Sequence, residues 1–135
     1  MPQEYREERL MRVLRDQIHS SIDGVQEAVI VTNDGLVVAA YPGSANTQDV
    51  HNEVGSSHWV AALAAEIIAQ SRRAFGELAQ GAVSRILVEG ESGSMIVVPA
   101  GDHAALAVMV APEIKLGLAM FQIARVAEHI GALLG

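Results

Sequence analysis

Apolar side chains recur along this chain with two different periods, and the switches between them mark out its elements. Leu10, Leu14 and Ile18 repeat every four residues, with Met11 and Ile22 alongside and Arg/Glu residues over the other side; this predicts a helix over 4–21, ended by Asp23-Gly24. The run Ala28-Val29-Ile30-Val31 predicts a strand over 26–32, and Asn33-Asp34-Gly35 is a strong tight-turn signal before a returning strand over 36–41. Pro42-Gly43 opens a polar loop that extends to about residue 52, long enough to be a functional candidate. A second helix is predicted from Ser56 or Ser57 to Phe75. Three strands follow in quick succession, over 82–89, 94–99 and 104–111, joined by hairpin-length links. A last helix is predicted over 113–134, opened by Pro112, with Leu116, Ala119, Met120, Ile123, Ala127, Ile130 and Leu134 on one face. Ile114, Leu118 and Phe121 form a second stripe on it, enough to pack on a neighbouring helix.

The strands are apolar on both faces, which requires a sheet covered on both sides. The expected architecture is therefore α+β, a three-layer sandwich in the order α-β-β-α-β-β-β-α, with residues 1–135 as a single domain. The strand over 82–89 differs from the others. Ser84, Arg85 and Glu89 interrupt it, as in an edge strand.

The middle helix has an unusual back. A 3.6-residue wheel places Val60, Leu63, Ala64, Ile67, Ser71, Ala74 and Phe75 on the core face. Ala62, Ala65, Ala69 and Gly76 lie opposite, flanked by Arg72 and Arg73. A solvated back normally carries Lys and Glu; small residues permit close approach of a second helix. Alanine is also the best helix former, so a solvated alanine face is the other reading. Pairing the edge strand with its own copy across a two-fold axis would remove the exposed edge and bring two such helices together.

Composition narrows the function classes. The chain has 135 residues, half of them hydrophobic but only 4% aromatic, with no Cys. Lack of Cys excludes disulfides, a thiol nucleophile and any cysteine-ligated metal. The net charge of −7 argues against non-specific binding to nucleic acid or to an anionic membrane. Residues 1–20 carry four acids and four arginines, so the whole excess lies in the remainder. The start lacks the apolar core of a signal peptide, and the longest wholly apolar run, 104–112, is far shorter than the ~20 residues that span a bilayer. A cytoplasmic location is expected.

Catalytic patterns mostly fail. There is no phosphate-binding G-x-x-x-x-G-K-[ST], and no G-x-G-x-x-G follows a strand. Gly90-Glu91-Ser92-Gly93-Ser94 lacks the closing glycine of a serine elbow and joins two strands. His51-Asn52-Glu53 has the H-x-E spacing of zinc deaminases without their cysteines, and could bind a metal with His58 only if the loop folded back. His103 sits in a turn; His19 and His129 lie on helices, where an exposed or capping role is the plainer reading. No cofactor and no metal is expected.

The order of elements and several segments together resemble the roadblock/dynein light chain family, especially its short bacterial members. The matching segments are Gly24 through Ala39, the alanine-rich helix, Gly101-Asp102-His103-Ala104-Ala105-Leu106-Ala107-Val108, and Gly117-Leu118-Ala119. Each is weak alone, but their order and spacing cover about residues 8–134. The resemblance implies a five-stranded antiparallel sheet of order 2-1-5-4-3, with the middle helix on one face and the terminal helices on the other. It implies homodimers in which third strands pair and middle helices lie side by side. Carried onto this chain, the interface would use Trp59, Ala62, Ala65, Glu66, Ala69 and Arg73 of the helix, and Val83, Arg85 and Leu87 of the strand.

Members of that family are non-enzymatic regulators or scaffolds of small Ras-like GTPases, some in modules with a sensor histidine kinase. One that serves gliding motility is a GTPase-activating partner. Arg72, Arg73 and Gly76 are the implied partner-binding residues; Arg72, Arg73 and Arg85 would be the candidates for an arginine supplied in trans, and each reads equally as a rim ion pair. The alternative function is a ligand-sensing α+β domain, which expects a cavity between sheet and helix lined by Met95, Met109 and Phe121.

Overall fold

The computed structural model describes residues 3–42 and 56–135, with side chains from 5 and from 57 onward. His51, Glu53 and the 43–52 part of the expected loop lie outside the described residues.

The amphipathic first segment forms helix α1 (Gln3–Val13) and continues as a π-helical stretch, Leu14–His19. Its four-residue apolar spacing keeps Leu10, Leu14 and Ile18 fully buried through the change of winding. Met11 lies off that line and is exposed. The apolar pattern predicts a plain α-helix here, and side-chain spacing alone does not distinguish the two windings.

Strands β1 (Val25–Thr32), β2 (Val37–Tyr41), β3 (Ile86–Gly90), β4 (Gly93–Pro99) and β5 (Ala104–Val110) make one antiparallel sheet of order β2-β1-β5-β4-β3. This is the implied order. Between β2 and β3 lies helix α2 (Ser56–Glu77), and α3 (Leu116–Leu134) closes the chain.

Two cores form because alternate residues of each strand face opposite ways. Ala28, Ile30, Ile96, Leu106 and Val108 face α1, its π-helical extension and α3. Val29, Val31, Val97, Ala105 and Ala107 face α2. Strand register fixes this sorting: Val29 is opposite Ala107, and Ile30 opposite Leu106. The expected three-layer α+β sandwich is thus what the chain adopts.

Two boundaries differ from expectation. Strand β3 starts at Ile86, four residues later than the sequence suggests, so Val83 and Arg85 precede it. Ile86 is opposite Val97, so the register would set Ser84 opposite Pro99. A proline offers no N–H, and the ladder stops short of it. Helix α3 starts at Leu116 rather than 113, because Lys115 is extended (φ −77, ψ 90). The preceding Ile114 packs half-buried against the α1/α3-side core instead of continuing a helical stripe.

The α2 wheel is rotated relative to expectation. Val60 and Ala64 are buried as predicted, but so are Ala61, Ala65 (8% exposed) and Ile68. Leu63 and Phe75, expected in the core, are 46% and 42% exposed, and Ala74 is exposed as well. The β1–β2 turn supplies the reason. Gly35 has φ +89, and a Cβ there would lie 3.6 Å from Ala62 Cα and 3.6 Å from Ala65 Cβ. The turn therefore presses close against α2 on its Ala65 side, covering a face that the wheel left open. Phe75 lies on the core-facing side of α2, yet it stays exposed; the helix packs chiefly on β1, with β2 and β5 beside it.

Candidate interaction surface

The outward face of α2 exposes large apolar side chains among its charged ones. Trp59 is 58% exposed and Leu63 46%, and Ala62, Glu66, Ala69 and Arg73 share the exposed side with them. Of the helix residues expected at an interface, Trp59, Ala62, Glu66, Ala69 and Arg73 therefore lie together on one accessible face. Ala65 does not: it is part of the α2-side core.

The two arginines point to different jobs. Arg73 stands on the outward face and donates from Nη2 to Gln70 Oε1 at 2.6 Å. Arg72 is half-buried, with Nη1 3.5 Å from Asn33 Oδ1, so it is turned toward the β1–β2 turn. Asn33 is itself held there: its Nδ2 donates to the Asp102 carbonyl at 3.1 Å, and its backbone N–H to the His103 carbonyl at 3.1 Å. Gly76 is exposed, with open space where a Cβ would go.

Strand β3 is one of the two sheet edges, pairing among the described residues only with β4; β2 is the other edge. Ile86 and Val88 are opposite Val97 and Met95, which places them on the α2 side, whereas Leu87 packs with the α1/α3-side core. Leu87, expected at an interface, thus offers the edge its backbone rather than its side chain. Val83 is half-buried and Arg85 exposed, both ahead of the ladder.

Beyond the reach of α2, the same side of the sheet stays apolar. Val88 is 47% exposed, Ile86, Met95 and Met109 are only half-buried, and Phe75 and Leu78 are exposed near the end of the helix. The strand alternation held the signal for Ile86 and Val88, but it depends on knowing which face α2 covers.

The sites of other chemistries do not assemble. Ser92 is exposed in the β3–β4 turn, and His58 is exposed on α2. No group of three or more metal-ligating side chains occurs among the described residues. His19 packs edge-on against Tyr41, ring centroids 5.2 Å apart. The cavity expected by the sensing alternative does not form as described. Met95 and Met109 face the α2 side, while Phe121 is 61% exposed on α3, across the sheet. No helix among the described residues is long and apolar enough to cross a membrane.

A profile described as Roadblock/LC7 domain matches residues 17–110. An uncharacterized protein of Methanocaldococcus jannaschii is 30% identical over 112 residues, which cover 82% of this chain and 89% of that one. Among solved structures, a Roadblock/LC7 domain from Streptomyces avermitilis superposes with a TM-score of 0.79 at 22% identity, covering 92% of this chain and 96% of that one. The gliding protein mglB of Thermus thermophilus does so with a TM-score of 0.78 at 20% identity, covering 95% and 90%. At such identities the two structures speak to the fold.

Proposed function

The chain belongs to the Roadblock/LC7 domain family, and from that premise we propose that it is a homodimeric, non-catalytic regulator or scaffold of a small Ras-like GTPase. It acts as one domain, in the cytoplasm, in bacterial signalling or polarity. The observation that carries this reading is the pair of unsatisfied features on the α2 side: the exposed Trp59 and Leu63 of α2, and the unpaired β3 edge with the exposed Val88.

A second copy matches that surface in two ways. Antiparallel pairing of two β3 edges satisfies backbone groups that otherwise face water, and extends the sheet across a two-fold axis. Helix α2 is also self-complementary in charge. Glu66 and Arg73 lie seven residues apart on the exposed side, with Ala69 between them. An antiparallel copy centred there sets Glu66 of each helix toward Arg73 of the other, while Ala62 and Ala69 let the backbones approach.

The paired α2 helices form the platform for the GTPase. Help in hydrolysis works by positioning the GTPase's own residues; with Arg73 given to Glu66 of the second copy, Arg72, held by a 3.5 Å contact to Asn33 beside the β1–β2 turn, is the contact left to the GTPase. The direct test is pull-down with GTP- and GDP-loaded Ras-like GTPases from the same genome, with hydrolysis measured in parallel. One nucleotide state of one GTPase should be retained by the native chain and lost with Ala69→Arg. Failure of every such GTPase to bind, in both states, would refute the reading.

A further inference from the structure

On the other side of the sheet, a groove runs between the first helix and α3. Near its middle is a depression of about 470 Å³ lined by Gln17, Ser21, Gln122, Arg125, Val126 and His129. A second, of about 250 Å³, lies toward the α3 C-terminus and is lined by Arg6, Arg9, Leu10 and Leu133. Among the described residues, no carboxylate lines either one. Toward the α3 N-terminus a third, of about 460 Å³, adds Leu118 and Lys115, together with Asp23 and Glu113.

Helix α1 sorts its charges about this groove. Arg6 and Arg9 line the α3 side, while Glu7 and Glu8 line a depression on the β2 side. One arginine atom there is unsatisfied: Arg6 Nε is buried with no hydrogen-bond partner among the described residues. A buried charged donor without an acceptor is costly and calls for an explanation. Farther along, Arg125 stands 6.0 Å from the centroid of the exposed Phe121 ring.

We propose that this groove docks an acidic amphipathic helix of a partner protein. Its apolar face would cover the exposed Leu118 and the half-buried Leu133, and its carboxylates would meet Arg6, Arg9 and Arg125. Two helices form the walls and no sheet edge is free here, so the fit is helix-in-groove rather than strand addition. The α3 wall from Leu118 to Leu133 spans about 22 Å at the α-helical rise, roughly four turns of a docked helix. Charge selects protein over membrane. Residues 1–22 and 112–135, which carry this face, hold six acids and six bases, so the face as a whole has no attraction for anionic lipid. The basic groups are concentrated inside the groove instead.

The site is separate from the α2 surface, so the two readings fail independently. The probe is a fluorescent synthetic peptide of about four helical turns, with Leu and Phe on one face and Glu on its flanks. A Lys-flanked version and phosphatidylglycerol vesicles serve as comparisons, all with the full chain. The acidic peptide should bind saturably, more weakly as salt rises, and about tenfold more weakly to Arg6→Glu/Arg125→Glu. Ala69→Arg should bind it as the native chain does. Circular dichroism confirms that each variant is folded, and Leu118→Ser, which alters no charge, gives a second, milder loss. Equal binding of the Lys-flanked peptide, no loss in the charge-reversed variant, no binding at all, binding of vesicles instead, or self-association through this face would each overturn the proposal.

Discussion

Ala65 and Ala69 are one helical turn apart and equivalent in the sequence pattern, yet their surroundings differ. Ala65 is buried beside Gly35, whereas Ala69 is exposed. Ala65→Glu would force an unpaired carboxylate into the α2-side core, and should cost about 3 kcal/mol or more, read as a lower melting temperature. Ala69→Arg should melt as the native monomer does, while light scattering reports loss of the dimer. A fully dimeric Ala69→Arg would remove the proposed helix contact. At Gly131 the limit is space: a Cβ would lie 2.8 Å from Gly101 N and 3.1 Å from Ala100 C. Backbone atoms cannot swing aside, so Gly131→Ala should destabilise by about 1–3 kcal/mol despite alanine's helix preference. Gly117→Ala, with nothing within 4 Å, is the matched control and should be neutral or stabilising. Thermal melts of the pair decide it. Charge contributes little at this scale. The hydrogen bond from Arg15 Nε (2.8 Å) holds the Asp16 carboxyl below its ordinary range. Whatever this adds is present at neutral pH and is lost as pH falls through the depressed native value. The pair is about half exposed, so Asp16→Asn should leave the melting temperature at pH 7 unchanged.

At the scale of elements, β3 and α2 are each incomplete alone. The β3 strand is short, half-buried at Ile86 and Leu87, and exposed from Val88 onward. Val88→Lys places a charge where the proposed second copy would bury a methyl-bearing side chain. It should weaken the dimer while leaving the monomer fold intact, as measured by sedimentation at several concentrations. The α2 register makes a sharper test. Glu66→Arg or Arg73→Glu alone should weaken the dimer by about tenfold, because the two-fold axis puts each pair in the interface twice. The double variant should recover most of the loss. Equal losses in all three would show that the helices pair in some other register. The late start of β3 was not legible in its own residues, because its limit is set by Pro99 on the neighbouring strand. In contrast, α3 could be read almost entirely: Ala119, Ile123, Ala127 and Ile130 are buried as their spacing required. Its second stripe is the exception: Leu118 and Phe121 stay exposed, and Ile114 precedes the helix.

For the whole molecule, charge is divided unevenly along the chain. Residues 1–22 and 112–135 are neutral overall, and residues 23–111 carry ten acids and three bases, the entire −7. A dimer would unite two chains of net charge −7, so its apolar and edge contacts must outweigh that repulsion. Added salt should therefore strengthen dimerisation modestly. A dimer whose subunits are stabilised by association should also melt at a higher temperature as protein concentration rises. A melting temperature independent of concentration, together with monomeric mass, would argue against the homodimer.

The sequence alone determined the element types, their order and the need for helices on both faces, because those follow from local periodicity and from strands apolar on both sides. Through its resemblance it also carried the strand order. It could not choose between the two apolar sides of α2, since a helical wheel has no knowledge of what lies beneath it. Tertiary structure made that choice through the approach of Gly35 and the sheet's own extent. It moved Ala65 and Leu63 in opposite directions, and left Phe75 and Val88 exposed. The groove beside α3 was equally invisible: Arg6, Arg9 and Arg125 are separated by most of the chain, and only the packing of its two ends lines them up.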